Sequence, residues 1–480
     1  MNLLIASMPI VCSTLAILAF RHTALRAGLQ GLFFTVGIIL LWPPFSLNTT
    51  DFLQAVTAGL YNTLNVSYVL LGGVFLFQVL DRGGSLGTIA DSFASTITDP
   101  QHSLFAIVFG ISVFFESVTG FGVGIVVVAP LLIALGYQPV QAAVLALLGQ
   151  CAVPWGALAV GTTLGSELSG VTGHRLAEIS VFISYPYLLL CGTVALLASG
   201  LWNGRIRQVL WLVFYVTLLS LLLWICSLTL GIELAGCVAG LLLTAVAVLI
   251  NRNRQQPHAL AQLATAIIPF AILMTALIIT RFYQPAADLL QRHAVTFGDY
   301  RIEPLYHPGF WLIVAALSGI AFLTASRSHW KTVIRESTHQ WLMASLAVGG
   351  FLLFGQLMKD AGMTQLIAQA IASAAGPYYA AVVPVIGGLG GFLTASNAAS
   401  NALFMTLQTS AASQIGLPVD VTAAVQNTAG SNCSMASPGR LVFAASIAGT
   451  PGAEADLLRR IMPVAMAGVL VLMLMSILLM

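Results

Sequence analysis

Charged side chains are scarce in this sequence. Its 480 residues hold 18 Lys and Arg and 16 Asp and Glu, only 7% of the chain, where a soluble domain carries about 25%. With 58% hydrophobic residues, such a composition cannot clothe a water-facing surface and belongs to a protein that lives in lipid. The net charge of +2 supplies no field for a nucleic acid. The six cysteines show neither CxxC nor Cys/His spacing, which excludes a disulfide framework and a zinc site. No phosphate loop, nucleophile elbow or metal-ligand motif is present. An ATP-driven pump and an intramembrane hydrolase therefore have no machinery here, and neither a cofactor nor a metal is implied. Repeated filter motifs, the usual mark of a channel, are also missing. Short alternating strands are absent, so a membrane β-barrel is excluded. Residues 2–20 are apolar with no basic segment before them, which reads as a first span rather than a cleaved leader.

What is present is a succession of apolar runs, and the fold expected is all-α, polytopic, with broken or re-entrant helices at midmembrane. The longest polar interval, residues 282–306, leaves no room for a soluble insertion, so residues 1–480 read as one transmembrane transporter domain. Arg21, Arg26, Arg82, Arg205, Arg207, Arg252, Arg254, Arg327, Lys331, Arg335, Arg459 and Arg460 fall at span ends that can share the cytoplasmic face. With them inside, 60–80 runs inward and 339–358 runs outward. Their starts lie about 280 positions apart, and the same offset relates 28–46 to 307–326, 181–199 to 461–479 and Gly136 to Gly416. Hydropathy kept and direction reversed is the signature of an inverted-topology repeat. The halves expected are 28–200 and 308–480, bridged by spans near 209–281.

Polar residues interrupt the apolar runs at four places. Glu116, Ser117, Thr119, Gly120 and Gly122 sit inside the run from Leu104 to Leu135. An acid at such depth must face protein or water, and glycines permit a helix break. The bland alternative is a packing seam between helices. The offset carries Glu116 to Ser396, within Thr394, Ser396, Asn397 and Asn401. A third cluster holds Gln150 before Pro154. The fourth holds Asn427, Thr428, Ser431, Asn432 and Ser437 before Pro438. Two prolines each remove a backbone donor and open the nearby helices. Broken helix ends attract an anion, and hydroxyls and amides orient it, although asparagines at i and i+4 also serve as interhelical glue. Arg440 completes the set. From the residues alone it faces a carboxylate substrate, pairs with Glu116, or snorkels to the interface. Glu116 is the candidate proton-coupling acid.

Glu116 with Thr119-Gly120-Phe121-Gly122, the run Asn401-Ala402-Leu403-Phe404, Leu407-Gln408, and Asn427-Thr428 through Ser437-Pro438 resemble the bacterial lactate permease family. The resemblance implies a proton symporter that takes up small 2-hydroxymonocarboxylates such as lactate or glycolate through the bacterial inner membrane. It also implies kinship with the wider ion-transporter superfamily, built on two inverted repeats. The chain departs from the family pattern at Asn397, where members carry an aspartate, at Ser434, where they carry a lysine, and at Arg440, where they carry no arginine. The partners expected are the monocarboxylate, protons and the lipid bilayer, with no nucleic acid. Sodium coupling through Asn397, Asn427 and Thr428, a passive anion channel, and self-association into a homo-oligomer stay open.

Overall fold

A computed structural model describes residues 1–20, 22–96, 99–120, 122–250, 260–297 and 300–480. Arg21, Phe121, Arg252 and Arg254, singled out above, lie outside the described residues. The described chain is helical almost throughout, as lipid requires of a backbone that must satisfy its own hydrogen bonds. Ten helices are long and apolar enough to cross a membrane. Among the described residues the one departure from an all-α chain is a small antiparallel pair of strands, Val295–Phe297 with Tyr300–Ile302, inside the polar interval.

The scaffold is a pair of long helices, Thr49–Arg82 and Trp330–Asp360. Gly59 packs on Leu353, Gly349 packs on Thr63, and Ser67 Oγ donates to Ser345 Oγ at 2.8 Å. Rising numbers on one helix meet falling numbers on the other, so the two are antiparallel. Ala24–Leu41 packs on Trp330–Asp360 through Gly28 and Gly350. Pro308–Phe322 packs on Thr49–Arg82 through Gly309 and Gly72. Missing side chains let these backbones approach closely. Asn2–Leu18 folds back along Ala24–Leu41, with Trp42 Nε1 donating to Asn2 Oδ1 at 3.2 Å.

This arrangement corrects one grouping. The sequence places Arg26 beside Arg82 at one membrane face. Gly28 lies against Ala347–Phe351, whereas Arg82 pairs with Glu336 at 2.8 Å. Glu336 and Ala347 are about 16 Å apart along their helix at 1.5 Å per residue. Arg26 therefore sits well above the Arg82 level.

The interior consists of four helix-break-helix units. In the first, Pro100–Thr119 stops at Gly120 (φ 72) and Gly122 (φ 79), and Val123–Ala134 follows. A Cβ on Gly120 would come 2.6 Å from Ala157 Cβ, so glycine is required there by space as well as by φ. In the second, Pro139–Leu148 gives way to a 3₁₀ stretch, Gly149–Trp155, before Gly156–Ser169. The third breaks between Tyr379–Thr394 and Asn397–Gln414, with Ala395 left-handed at φ 58. The fourth breaks between Val419–Cys433 and Pro438–Ile447, where Ser437 caps the second helix. Gly156–Ser169 packs on Asn397–Gln414, and Pro438–Ile447 packs on Val123–Ala134, so each half reaches into the other.

Candidate functional site

The breaks surround a cavity of about 390 Å³. Two helix starts, Ser396–Ala399 and Gly439–Arg440, line it together with Gly156 and the left-handed turn that begins at Ala157. The first turn of a helix has N–H groups without intrahelical partners and carries the positive end of its dipole. Ser396 Oγ uses one of these by accepting from Ala399 N at 3.3 Å. The opposite wall is apolar, from Leu70, Ala344, Ala347 and Val348. A small anion with a hydrocarbon side fits a cavity so divided.

Glu116 and Arg440 meet at the polar end. Arg440 Nη2 lies 3.4 Å from Glu116 Oε1, and the two residues are 8% and 3% exposed. This burial excludes the headgroup reading of Arg440. Ser437 sets the arginine in place by accepting from Arg440 N at 3.4 Å. The guanidinium spreads over three acceptors: Nη1 donates to Gln150 Oε1, Nε to Ala395 O at 3.4 Å, and Nη2 to Glu116. It thereby joins the Glu116, Gln150 and Thr394–Ser396 breaks to the Ser437 break. Glu116 Oε1 also accepts from Gly122 N at 3.4 Å, while Oε2 is buried with no partner among the described residues. Neutralising each charge by the other is what permits both inside the protein.

Beside this pair lies an amide network centred on Asn427. Its Oδ1 accepts from Asn397 Nδ2 and Asn401 Nδ2, each at 2.9 Å. Its Nδ2 donates to Thr162 Oγ1 at 3.0 Å and Ser180 Oγ at 3.3 Å. Asn401 Nδ2 reaches Gly161 O at 2.9 Å. Gln426 extends the network to Ser400 and Gln408, and Tyr379 OH donates to Gln408 Oε1 at 3.2 Å. Asn397 Oδ1 is turned toward Gly430, buried and without a partner among the described residues.

Of the residues expected from sequence, Glu116, Gly120, Thr394, Ser396, Asn397 and Arg440 line the cavity. Gly122, Gln150, Asn427 and Ser437 bond directly to those that do, and Asn401 bonds to Asn427. The others do not line it. Ser117 faces Gly236, where an added Cβ would fall 2.2 Å from its Oγ. Thr119 bonds back to Phe115 O at 3.0 Å, and Ser431 back to Asn427 O at 2.7 Å. Thr428 Oγ1 and both polar side-chain atoms of Asn432 are buried without partners among the described residues. The sequence reading missed Thr162, Ser180 and Tyr379, single polar groups in apolar helices. It also missed a left-handed turn, Ala157–Leu158–Ala159 (φ 50 to 56), that walls the cavity. The only early signal was the Gly161-Thr162-Thr163 interruption of an apolar run. Among the described residues no group of three or more His, Cys, Asp or Glu could hold a metal ion.

Comparison with known proteins identifies a family. The L-lactate permease family model matches residues 2–298 and 290–480. An L-lactate permease of Bacillus subtilis (strain 168) is 25% identical, covering 96% of this chain and 92% of its own. One from Streptococcus iniae is 24% identical, covering 86% and 91%. Glycolate permease GlcA of Escherichia coli (strain K12) is 23% identical over 96% and 92%. The solved YdaH transporter of Alcanivorax borkumensis superposes with a TM-score of 0.47 at 15% identity, covering 89% of this chain and 87% of its own. The chain belongs to the L-lactate permease family, whose named members are transporters rather than enzymes.

Proposed function

We propose that the chain takes up a small 2-hydroxymonocarboxylate, of the lactate and glycolate class, across the bacterial inner membrane together with a proton. The names of its relatives supply the substrate class. The observation that carries the mechanism is the buried Glu116–Arg440 pair at the wall of the cavity. A substrate carboxylate and the Glu116 carboxylate compete for one guanidinium. A proton on Glu116 releases Arg440 to the substrate, so the empty site (Glu⁻, Arg⁺) and the loaded site (GluH, Arg⁺, carboxylate⁻) are both neutral. Charge balance in a medium that tolerates no net charge is the coupling. The substrate's hydrocarbon side meets Leu70 and the alanines.

The segments 28–200 and 308–480, bridged near 209–281, are read as inverted repeats around this site. The antiparallel crossing of Thr49–Arg82 with Trp330–Asp360, and the exchange of helices between halves, support that reading. A second reading, sodium coupling, would draw on the oxygens of Asn397, Asn427 and Thr428, of which Asn397 Oδ1 and Thr428 Oγ1 lack partners among the described residues.

Proteoliposome uptake of labelled acids under imposed pH and sodium gradients separates these. Lactate accumulation under an inward proton gradient, insensitive to replacement of sodium by choline and abolished by an uncoupler, is expected. Dependence on sodium would replace the coupling ion. Simple equilibration would make the protein a passive channel.

A further inference from the structure

The left-handed turn at Ala157–Ala159 has a cavity on its other side as well. Ala157 and Val160 back the Arg440 cavity, and Leu158 and Val160 back a second one of about 260 Å³. A single turn of chain therefore separates the two.

The second cavity is built around Arg281, in the last turn of Leu260–Phe282. Its guanidinium carbon lies 4.0 Å from the Tyr306 ring centroid, which anchors one face. Its Nη2 sits 3.5 Å from Glu233 Oε1, longer than the ~2.8 Å of a charge-assisted hydrogen bond. The side chain is 15% exposed, so its remaining donors face the cavity with little water. Arg301, on the same wall, is bound closely by Glu303 at 2.9 Å and is 58% exposed. Arg281 is thus a planar fork held from one side and loosely met from the other, the form that takes a carboxylate with two hydrogen bonds.

Charge rules place this cavity on the outer face. Glu233 begins Ile232–Ile250, next to the end of Ile206–Thr229, and Arg205 and Arg207 mark the opposite end of that helix. Arg82 likewise ends the long helix that lends Tyr61 and Asn65 to the cavity. The basic ends lie inside.

Glu167, on Gly156–Ser169, also lines the cavity and has no partner among the described residues. Arg281 and Arg301 offset Glu233 and Glu303, which leaves the Glu167 charge uncompensated. Burial and nearby Arg281 push His307 down to about 4, so it adds no charge.

We infer that this cavity is an outer docking site at which the small carboxylate binds Arg281 before it reaches Arg440, and that negative charge on Glu167 opposes the docking. The inference rests on the transport reading above and adds a second site to it. Its signature is a set of opposite signs seen from one face only.

The test uses right-side-out and inside-out membrane vesicles and labelled lactate. Arg281→Lys keeps the charge and loses the fork, and should raise the half-saturation concentration from outside about tenfold while leaving that from inside unchanged. Glu233→Gln frees Arg281 and should lower the outside value. Glu167→Gln should lower it too, and flatten its dependence on outside pH. A purely structural ion pair gives the same sign in Arg281→Lys and Glu233→Gln, on both faces, and that result overturns the inference. So does an unchanged outside value in Arg281→Lys. Equilibrium dialysis of labelled lactate against purified Arg440→Gln separates this site from the transport reading. Residual binding that Arg281→Gln abolishes supports the outer site whether or not the variant transports. No residual binding refutes it. Wild-type vesicles that carry no lactate from either face would sink the transport reading, with the dialysis result still deciding the docking site.

Discussion

Replacing Glu116 with glutamine tests the charge-balance account at its hinge. Glutamine keeps the shape and hydrogen bonding of a protonated glutamate but can never compete for Arg440. In the wild type the substrate carboxylate must displace Glu116 Oε1 from a contact of 3.4 Å. Coulomb attraction at that distance is about 5 kcal/mol at an effective dielectric of ~20. Desolvation of the pair offsets most of it. If a net ~1.4 kcal/mol survives, E116Q binds substrate about tenfold more tightly. Wild-type binding weakens as pH rises, because each substrate must bring a proton, whereas E116Q binding is flat with pH. The mutant exchanges labelled for unlabelled lactate across the bilayer, yet does not accumulate it under a proton gradient. The assay is counterflow beside gradient-driven uptake in one reconstituted preparation, with a melting curve to certify folding. Full accumulation by folded E116Q, or binding as pH-dependent as in the wild type, refutes the reasoning.

Three further substitutions probe the parts around the pair. Arg440→Lys retains charge but cannot span Glu116, Gln150 and Ala395 together, so substrate affinity should drop about tenfold or more with little loss of folded protein, read by binding and melting in parallel. Asn427→Ala strands the Asn397 amide donor and costs Asn401 one of its acceptors, worth about 3 kcal/mol of stability by thermal unfolding in detergent. Gly391→Ala places a Cβ 1.8 Å from Gly430 O, where backbone meets backbone, so it should prevent accumulation of folded protein, seen as loss of a monodisperse peak on size exclusion.

Much of this arrangement was written in the sequence because lipid makes polarity conspicuous. Glu116, Gln150, Asn397, Asn427 and Arg440 stand out in apolar runs, and the structure brings all five to one cavity or one bond away from it. Helix positions were legible for the same reason, but not their ends: 60–80 belongs to Thr49–Arg82 and 339–358 to Trp330–Asp360, whose polar turns run on beyond the apolar stretch. Faces were not. Thr119 and Ser431 have the same composition signal as Thr394 and Ser396, but a hydroxyl on a helix is satisfied by its own carbonyl four residues back, and only packing decides which way it turns. The left-handed turn was invisible because Ala157, Leu158 and Ala159 are good helix formers, and their conformation is imposed by tertiary contact. Arg26 was misplaced because the charge rule reports ends of spans, while Ala24–Leu41 begins against the middle of a longer helix.

The central claim is that proton and carboxylate bind as one neutral load. It is tested most directly by counting protons when lactate is added to the purified protein in weakly buffered detergent solution, with a pH indicator calibrated against acid. Near neutral pH the account predicts uptake of about one proton for each lactate bound in the wild type, and none in E116Q. Lactate binding with no proton uptake in the wild type, or equal uptake in E116Q, would contradict it.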